Sequence, residues 1–186
     1  MTALPRDTVL IVIDVQQAFN DASWGARNNP NAEARIADLM AGWRKSQRPI
    51  IHIQHSSPHL DSLFHPEQPG FVVKPEAKPL PGEPVLFKAV NSAFIGTDLE
   101  QHLRAQAATT LVLVGITTDH CVSTTTRMAG NFGFTAYIVS DATATFERHN
   151  HEGKHFSAEL MHETALASLN NEFATVTDSA GLLQRL

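Results

Sequence analysis

The chain has 186 residues, 42% of them apolar and 18% charged, enough for one folded domain with a sizeable core. Acidic residues outnumber basic ones 19 to 14, for a net charge of -5, and no Lys/Arg-rich run occurs, so the electrostatic footprint of a nucleic-acid binder is missing. One cysteine excludes an internal disulfide frame and a multi-cysteine zinc site; the longest apolar run near the start, Val9 to Ile13, is far too short to cross a membrane and lacks signal-peptide flanks. These features predict a soluble cytoplasmic protein of one domain, residues 1–186, without nucleic-acid or membrane partners.

Short apolar runs alternate with longer helical patterns, the mark of a parallel α/β sheet. Thr8 to Ile13 is apolar on both faces and reads as a buried first strand. Asn31 to Gln47 places Ile36, Leu39, Met40 and Trp43 at helical spacing, and Pro49 ends that helix before a second strand at Ile50–Ile53. The proline- and histidine-rich stretch from Gln54 to Pro84 has little periodicity and reads as a long functional loop. A third strand follows at Val85–Phe87. Thr97 and Glu100 form a T-x-x-E pattern that predicts a helix to about Ala107. Leu111–Val114 is the fourth strand, and a helix from about Cys121 to Asn131 stops at Gly133. Ala136–Val139 is the fifth strand. Ser157 to Leu169 is helical, with Leu160, Met161, Thr164 and Leu166 to Leu169 facing inward, and Phe173–Val176 is the sixth strand. Right-handed crossovers then give a mostly parallel, doubly wound sheet of order 3-2-1-4-5-6 with helices on both faces, a Rossmann-like three-layer sandwich. Ligands bind such sheets beyond the carboxyl ends of the strands where the order reverses, here between the first and fourth.

Three reactive residues fall at those ends. Asp14 closes the first strand, Lys88 the third, and Cys121 follows the fourth at a helix start. A cation and a helix N-terminus both favour a thiolate, so Lys88 and the helix are expected to lower the Cys121 pKa. Asp14 is placed to take the thiol proton and return it to a leaving amine, and backbone amides between Thr117 and Cys121 are the source of oxyanion donors.

These blocks resemble the isochorismatase-like cysteine hydrolases. The resemblance rests on Ile13-Asp-Val-Gln-Gln-Ala-Phe19, Lys88-Ala-Val-Asn-Ser-Ala-Phe94, Gly115-Ile-Thr-Thr-Asp-His-Cys-Val122 and Ser140-Asp-Ala-Thr-Ala-Thr145, and it covers about Val9 to Phe173. It implies an Asp14–Lys88–Cys121 triad, a cis peptide between Ile116 and Thr117, and an oxyanion hole from the amides of Thr117 and Cys121. It also implies hydrolysis of a small-molecule C–N bond (amide, urea, imide or lactam) through a thioester acyl-enzyme, and a homodimer or higher homo-oligomer. The alternative within the family is vinyl-ether hydrolysis of the isochorismatase type, which needs no cysteine. A redox sensor lacks a resolving cysteine, nucleotide binding lacks a glycine-rich turn after the first strand, and a binding protein without catalysis sits poorly with an intact triad.

Nicotinamidases of the family hold a metal through an Asp-x-His pair after the second strand. Here the stretch reads Gln54-His55-Ser56-Ser57. No metal and no cofactor are therefore expected, although His52, His55, His59 and His65 make the region histidine-rich. By position, Phe19, Gln54, His55, Asn91, Phe94 and His120 are the candidate substrate-binding residues. Gln16 is expected to order the Asp14 loop and Asp119 to support the helix start; Trp24 is open between lid, core and subunit contact.

Overall fold

The computed structural model describes residues 2–186. The central strand β1 (Val9–Ile13) is buried along its whole length. It lies parallel to β2 (Ile50–His55) on one side and β4 (Thr110–Ile116) on the other. With β3 (Val85–Lys88), β5 (Thr135–Ala144) and β8 (Thr175–Thr177) it forms a six-stranded parallel sheet of order β3-β2-β1-β4-β5-β8. The remaining strands, β6 (Arg148–His149) and β7 (His155–Phe156), make a small antiparallel ribbon beside it.

Side chains alternate across a strand, and β1 feeds both layers. Val9, Ile11 and Ile13 pack toward α2 (Leu99–Ala105), α3 (Ser123–Asn131) and α4 (Ala158–Leu169), meeting Leu99, Leu103, Ala129 and Leu169. Leu10 and Val12 pack the other way, toward α1 (Ala32–Lys45) and α5 (Ser179–Leu183), where Ile36, Met40, Trp43 and Leu182 lie. Each such aliphatic side chain contributes roughly 1.5–3 kcal/mol on full burial. The Trp43 indole N–H is satisfied as well, donating to the Thr8 carbonyl at 3.0 Å.

Several local expectations shift, each for a visible reason. The last sheet strand starts at Thr175 rather than Phe173, because the amides of Phe173 and Ala174 both donate to the Leu169 carbonyl and finish α4. Strand β5 runs on to Ala144 past an irregularity in its pairing between Leu113 and Gly115 on β4, so Ser140 to Ala144 belongs to the sheet. The T-x-x-E box does not close. Thr97 Oγ1 accepts from the Leu99 amide two residues on, and Glu100 faces Arg104 instead. On α4 the buried positions are Ala158, His162, Leu166 and Leu169, which turns Leu160 outward to 43% exposure. Helix α5 is only five residues long, too short for periodicity to reveal; Asp178 caps it by accepting from the Gly181 amide at 2.6 Å.

Candidate active site

The site forms where β1 and β4 run side by side and their chains depart to opposite halves of the sheet. Gly115 permits that approach. Its φ is +132°, and a Cβ there would lie 2.0 Å from the Ile13 carbonyl oxygen. Immediately after β1, Asp14 turns into the left-handed region (φ 52°) while its amide still donates to Ile53 on β2. A non-glycine residue is seldom found there, and such residues cluster at functional sites. Lys88 is the last residue of β3 and stands in register opposite His55. The Ile116–Thr117 peptide is cis, and a wide turn over Thr118–Val122 carries Cys121 into α3. The amides of His120 and Val122 close that turn onto the Thr117 carbonyl.

These elements bring the three reactive side chains together. Lys88 Nζ lies 2.6 Å from Asp14 Oδ2 and 3.3 Å from Cys121 Sγ, with the lysine side chain fully buried. Its third contact is His55 Nδ1 at 3.1 Å. An ammonium has three N–H donors, and all three are engaged. Asp14 Oδ1 is buried without a hydrogen-bond partner among the described residues.

Burial pushes the Cys121 thiol up to about 12, the Asp14 carboxylate adds to that, and Lys88 only partly opposes it. Cys121 therefore does not rest as the thiolate expected from the sequence. The lysine charge is shared with Asp14, and Cys121 lies in the helical turn Thr118–Val122 that runs directly into α3. Burial, and next the neighbouring Lys88 charge, push His55 below its ordinary value, so its imidazole is neutral.

A cavity of about 140 Å3 opens above Cys121, and Asp14, Phe19, His55, Asn91, Thr117 and His120 are among its lining residues. Two further aromatics, Trp24 and Phe64, complete the wall beside Phe19, with ring centroids 5.1 Å from it in both cases. Trp24 is thus a cavity residue. Its indole N–H donates to the Ala18 carbonyl and leaves only the ring to face a ligand. Phe64 was not legible, because it comes from the aperiodic loop after β2.

Two expected binding residues lie elsewhere. Phe94 packs into the core between Phe132 and Phe134, at 5.2 and 6.2 Å, where the turn after β3 delivers it. Gln54 is one residue from His55 on a strand and so faces the opposite side of the sheet, donating to the Phe71 carbonyl at 2.6 Å. Gln16 accepts from the His55 amide and donates to the His55 and Phe71 carbonyls, fastening the Asp14 segment to the end of β2. Burial would raise the Asp119 carboxyl, but the Thr145 hydroxyl and the His120 and Arg148 charges outweigh it and hold the group below its ordinary value. Asp119 thereby ties the nucleophile turn to the segment after β5, accepting from Thr145 and Arg148. His162, absent from any sequence motif, supports the same turn through Thr118 Oγ1 at 2.9 Å.

The loop histidines do not converge. His52 pairs with Glu83, and His65 Nδ1 accepts from the Glu67 amide. Among the described residues the one grouping of potential metal ligands is Asp14, His55 and Cys121, whose ligand atoms lie within 4.8 Å of one another. Lys88 hydrogen-bonds all three, so the place a metal would take is held by an ammonium whose charge would repel it.

The family model for the isochorismatase domain matches residues 8–181, nearly the whole chain. The chain belongs to the isochorismatase family. Within it, the chain is 47% identical over 174 residues to YrdC of Bacillus subtilis, an uncharacterized family protein, covering 94% of this chain and 93% of that one. A solved isochorismatase-family structure from Chromobacterium violaceum superposes with a TM-score of 0.96 at 43% identity, over 100% of this chain and 96% of its own. The ureidoacrylate amidohydrolase RutB of Methylobacterium radiotolerans is 29% identical over 211 residues, covering 95% of this chain and 78% of that protein. The protein is accordingly a hydrolase of the isochorismatase fold. No helix among the described residues is long and apolar enough to cross a membrane.

Proposed function

We propose that the protein hydrolyses a small-molecule C–N bond by covalent catalysis, with Cys121 as nucleophile. The observation that carries this reading is the buried cluster in which Lys88 Nζ contacts both Cys121 Sγ and Asp14 Oδ2, at 3.3 and 2.6 Å, beneath an apolar cavity. The amidohydrolase activity in the name of the Methylobacterium relative supports the bond type.

A thiol held near 12 cannot supply a standing thiolate at neutral pH. Its proton must leave as the sulfur attacks, when the new negative charge passes to the substrate oxygen. The Asp14 carboxylate, with Oδ1 unpartnered, receives that proton. The backbone amides of Thr117 and Cys121 then stabilise the oxyanion. As the carbonyl re-forms, the C–N bond breaks and Asp14 returns the proton to the departing nitrogen. Water, deprotonated by Asp14, attacks the thioester; its hydroxyl goes to the acyl carbon and the proton passes to the sulfur, restoring the free enzyme. Lys88 holds Asp14 in place throughout. The substrate is a small molecule, no cofactor takes part, and the working form is a homo-oligomer.

The test is hydrolysis of a panel of primary amides, ureas and imides, followed by ammonia release for the first two and by loss of the imide absorbance for the third, with intact-mass analysis of the quenched protein. An acyl adduct on Cys121, and loss of about three or more orders of magnitude in turnover for Cys121→Ala, are expected. Full activity in the alanine variant would refute the covalent route and favour vinyl-ether hydrolysis.

A further inference from the structure

The cavity wall supplied by Phe19, Trp24 and Phe64 is apolar, and the only indole donor in it is already used by the Ala18 carbonyl. Among the described residues no arginine or lysine lines the cavity. Lys88 lies below the floor with all three donors engaged by Asp14, His55 and Cys121. His55 is neutral, and its ring is held edge-on to Phe64 at 5.2 Å. His120 at the rim has a half-exposed side chain and already faces the Asp119 carboxylate at 3.6 Å. Asp14 brings a carboxylate oxygen without a partner. A ligand carboxylate would therefore lose its hydration, meet a like charge and find no free cation, a costly combination.

We infer that the site rejects substrates carrying a carboxylate on the acyl side. The identity of the reaction rests on the proposed function above, whereas charge selection is a property of the cavity alone. The chain has one cysteine, so the two can be tested separately.

The first measurement compares alkylation of Cys121 by iodoacetamide and by iodoacetate, reagents of nearly equal size that differ by one negative charge. The ratio of their second-order rates in the folded protein is divided by the same ratio in the urea-unfolded chain. A quotient of about 100 in favour of iodoacetamide is expected from an uncompensated charge in a cavity of this kind. A quotient near one, or a preference for iodoacetate, overturns the inference. Asn91→Lys places an ammonium at the exposed lip and should restore iodoacetate reactivity by about tenfold. No gain in that variant would also count against the inference.

The second measurement follows ammonia release from an unsaturated monoamide supplied as its free acid and as its methyl ester. Hydrolysis of the ester about 100-fold faster in kcat/KM supports both readings. Equal or faster hydrolysis of the acid overturns charge selection and leaves the hydrolase reading standing. A large alkylation quotient with no ammonia from any uncharged amide would leave charge selection standing and overturn the hydrolase reading.

Discussion

Replacing Asp14 by asparagine should make Cys121 more reactive toward alkylating agents and the enzyme far less active. The carboxylate and the sulfur lie within 4.8 Å of each other in a buried site. Two unit charges at that distance, at an effective dielectric of about 20, interact by roughly 3.5 kcal/mol, which is about 2.5 pH units. The sign is set by charge: an anion beside the sulfur opposes thiolate formation, so removing it lowers the thiol value from about 12. Lys88, no longer paired with a carboxylate, then acts more fully on the sulfur. Iodoacetamide alkylation followed against pH should show its midpoint moving down by about two to three units. Turnover of whichever amide proves to be a substrate should nevertheless fall by about 10²–10⁴-fold, because asparagine cannot accept or return the proton. An alkylation profile that stays in place or moves upward, in a variant shown to be folded by circular dichroism, would refute the electrostatic account. Retained turnover would refute the assignment of Asp14 as the proton carrier.

Lys88→Met strips the buried Asp14 of its counter-ion and should cost about 3–5 kcal/mol in urea unfolding, while moving the alkylation midpoint of Cys121 further upward. Gly115→Ala meets backbone at the Ile13 carbonyl and an unfavourable φ, so it should destabilise by about 4 kcal/mol or more, read as a lost or sharply lowered thermal transition. Glu33 accepts from both Arg27 and Lys74; burial opposes ionisation, but these bonds and charges win and hold its carboxyl at about 2 against an ordinary 4.5. A depressed carboxyl contributes stability above the unfolded value that is lost as pH falls through the folded one. Glu33→Gln should therefore lower stability by up to about 3 kcal/mol at pH 7 and flatten the decline between pH 4.5 and 2 in acid unfolding.

The order of the sheet was legible because continuous apolar runs such as Val9–Ile13 and Leu111–Val114 alternate with helices, and right-handed crossovers between parallel strands leave few orders open. The meeting of Asp14, Lys88 and Cys121 was legible from the same alternation: two close apolar strands, the third opens the helix after one, and a doubly wound sheet gathers those ends. Which way a single side chain points was less so. His55 and Gln54 are neighbours, and the period of two puts one in the cavity and the other against Phe71. Phe94 stands in the same motif as Asn91 yet turns into the core, because the turn after β3 rotates between them. Phe64 and Trp24 come from segments without periodicity, and only the folded chain brings their rings beside Phe19.

Charge state depended most on tertiary structure. From the sequence, a lysine and a helix start predicted a thiolate. Folding places the sulfur out of water and beside Asp14, and it divides the lysine's charge among three acceptors. Residue types and strand ends determine which groups meet. Whether a proton stays on Cys121 is decided by burial and by distances of 3–5 Å, which exist only once β1, β3 and β4 lie side by side with their loops in place.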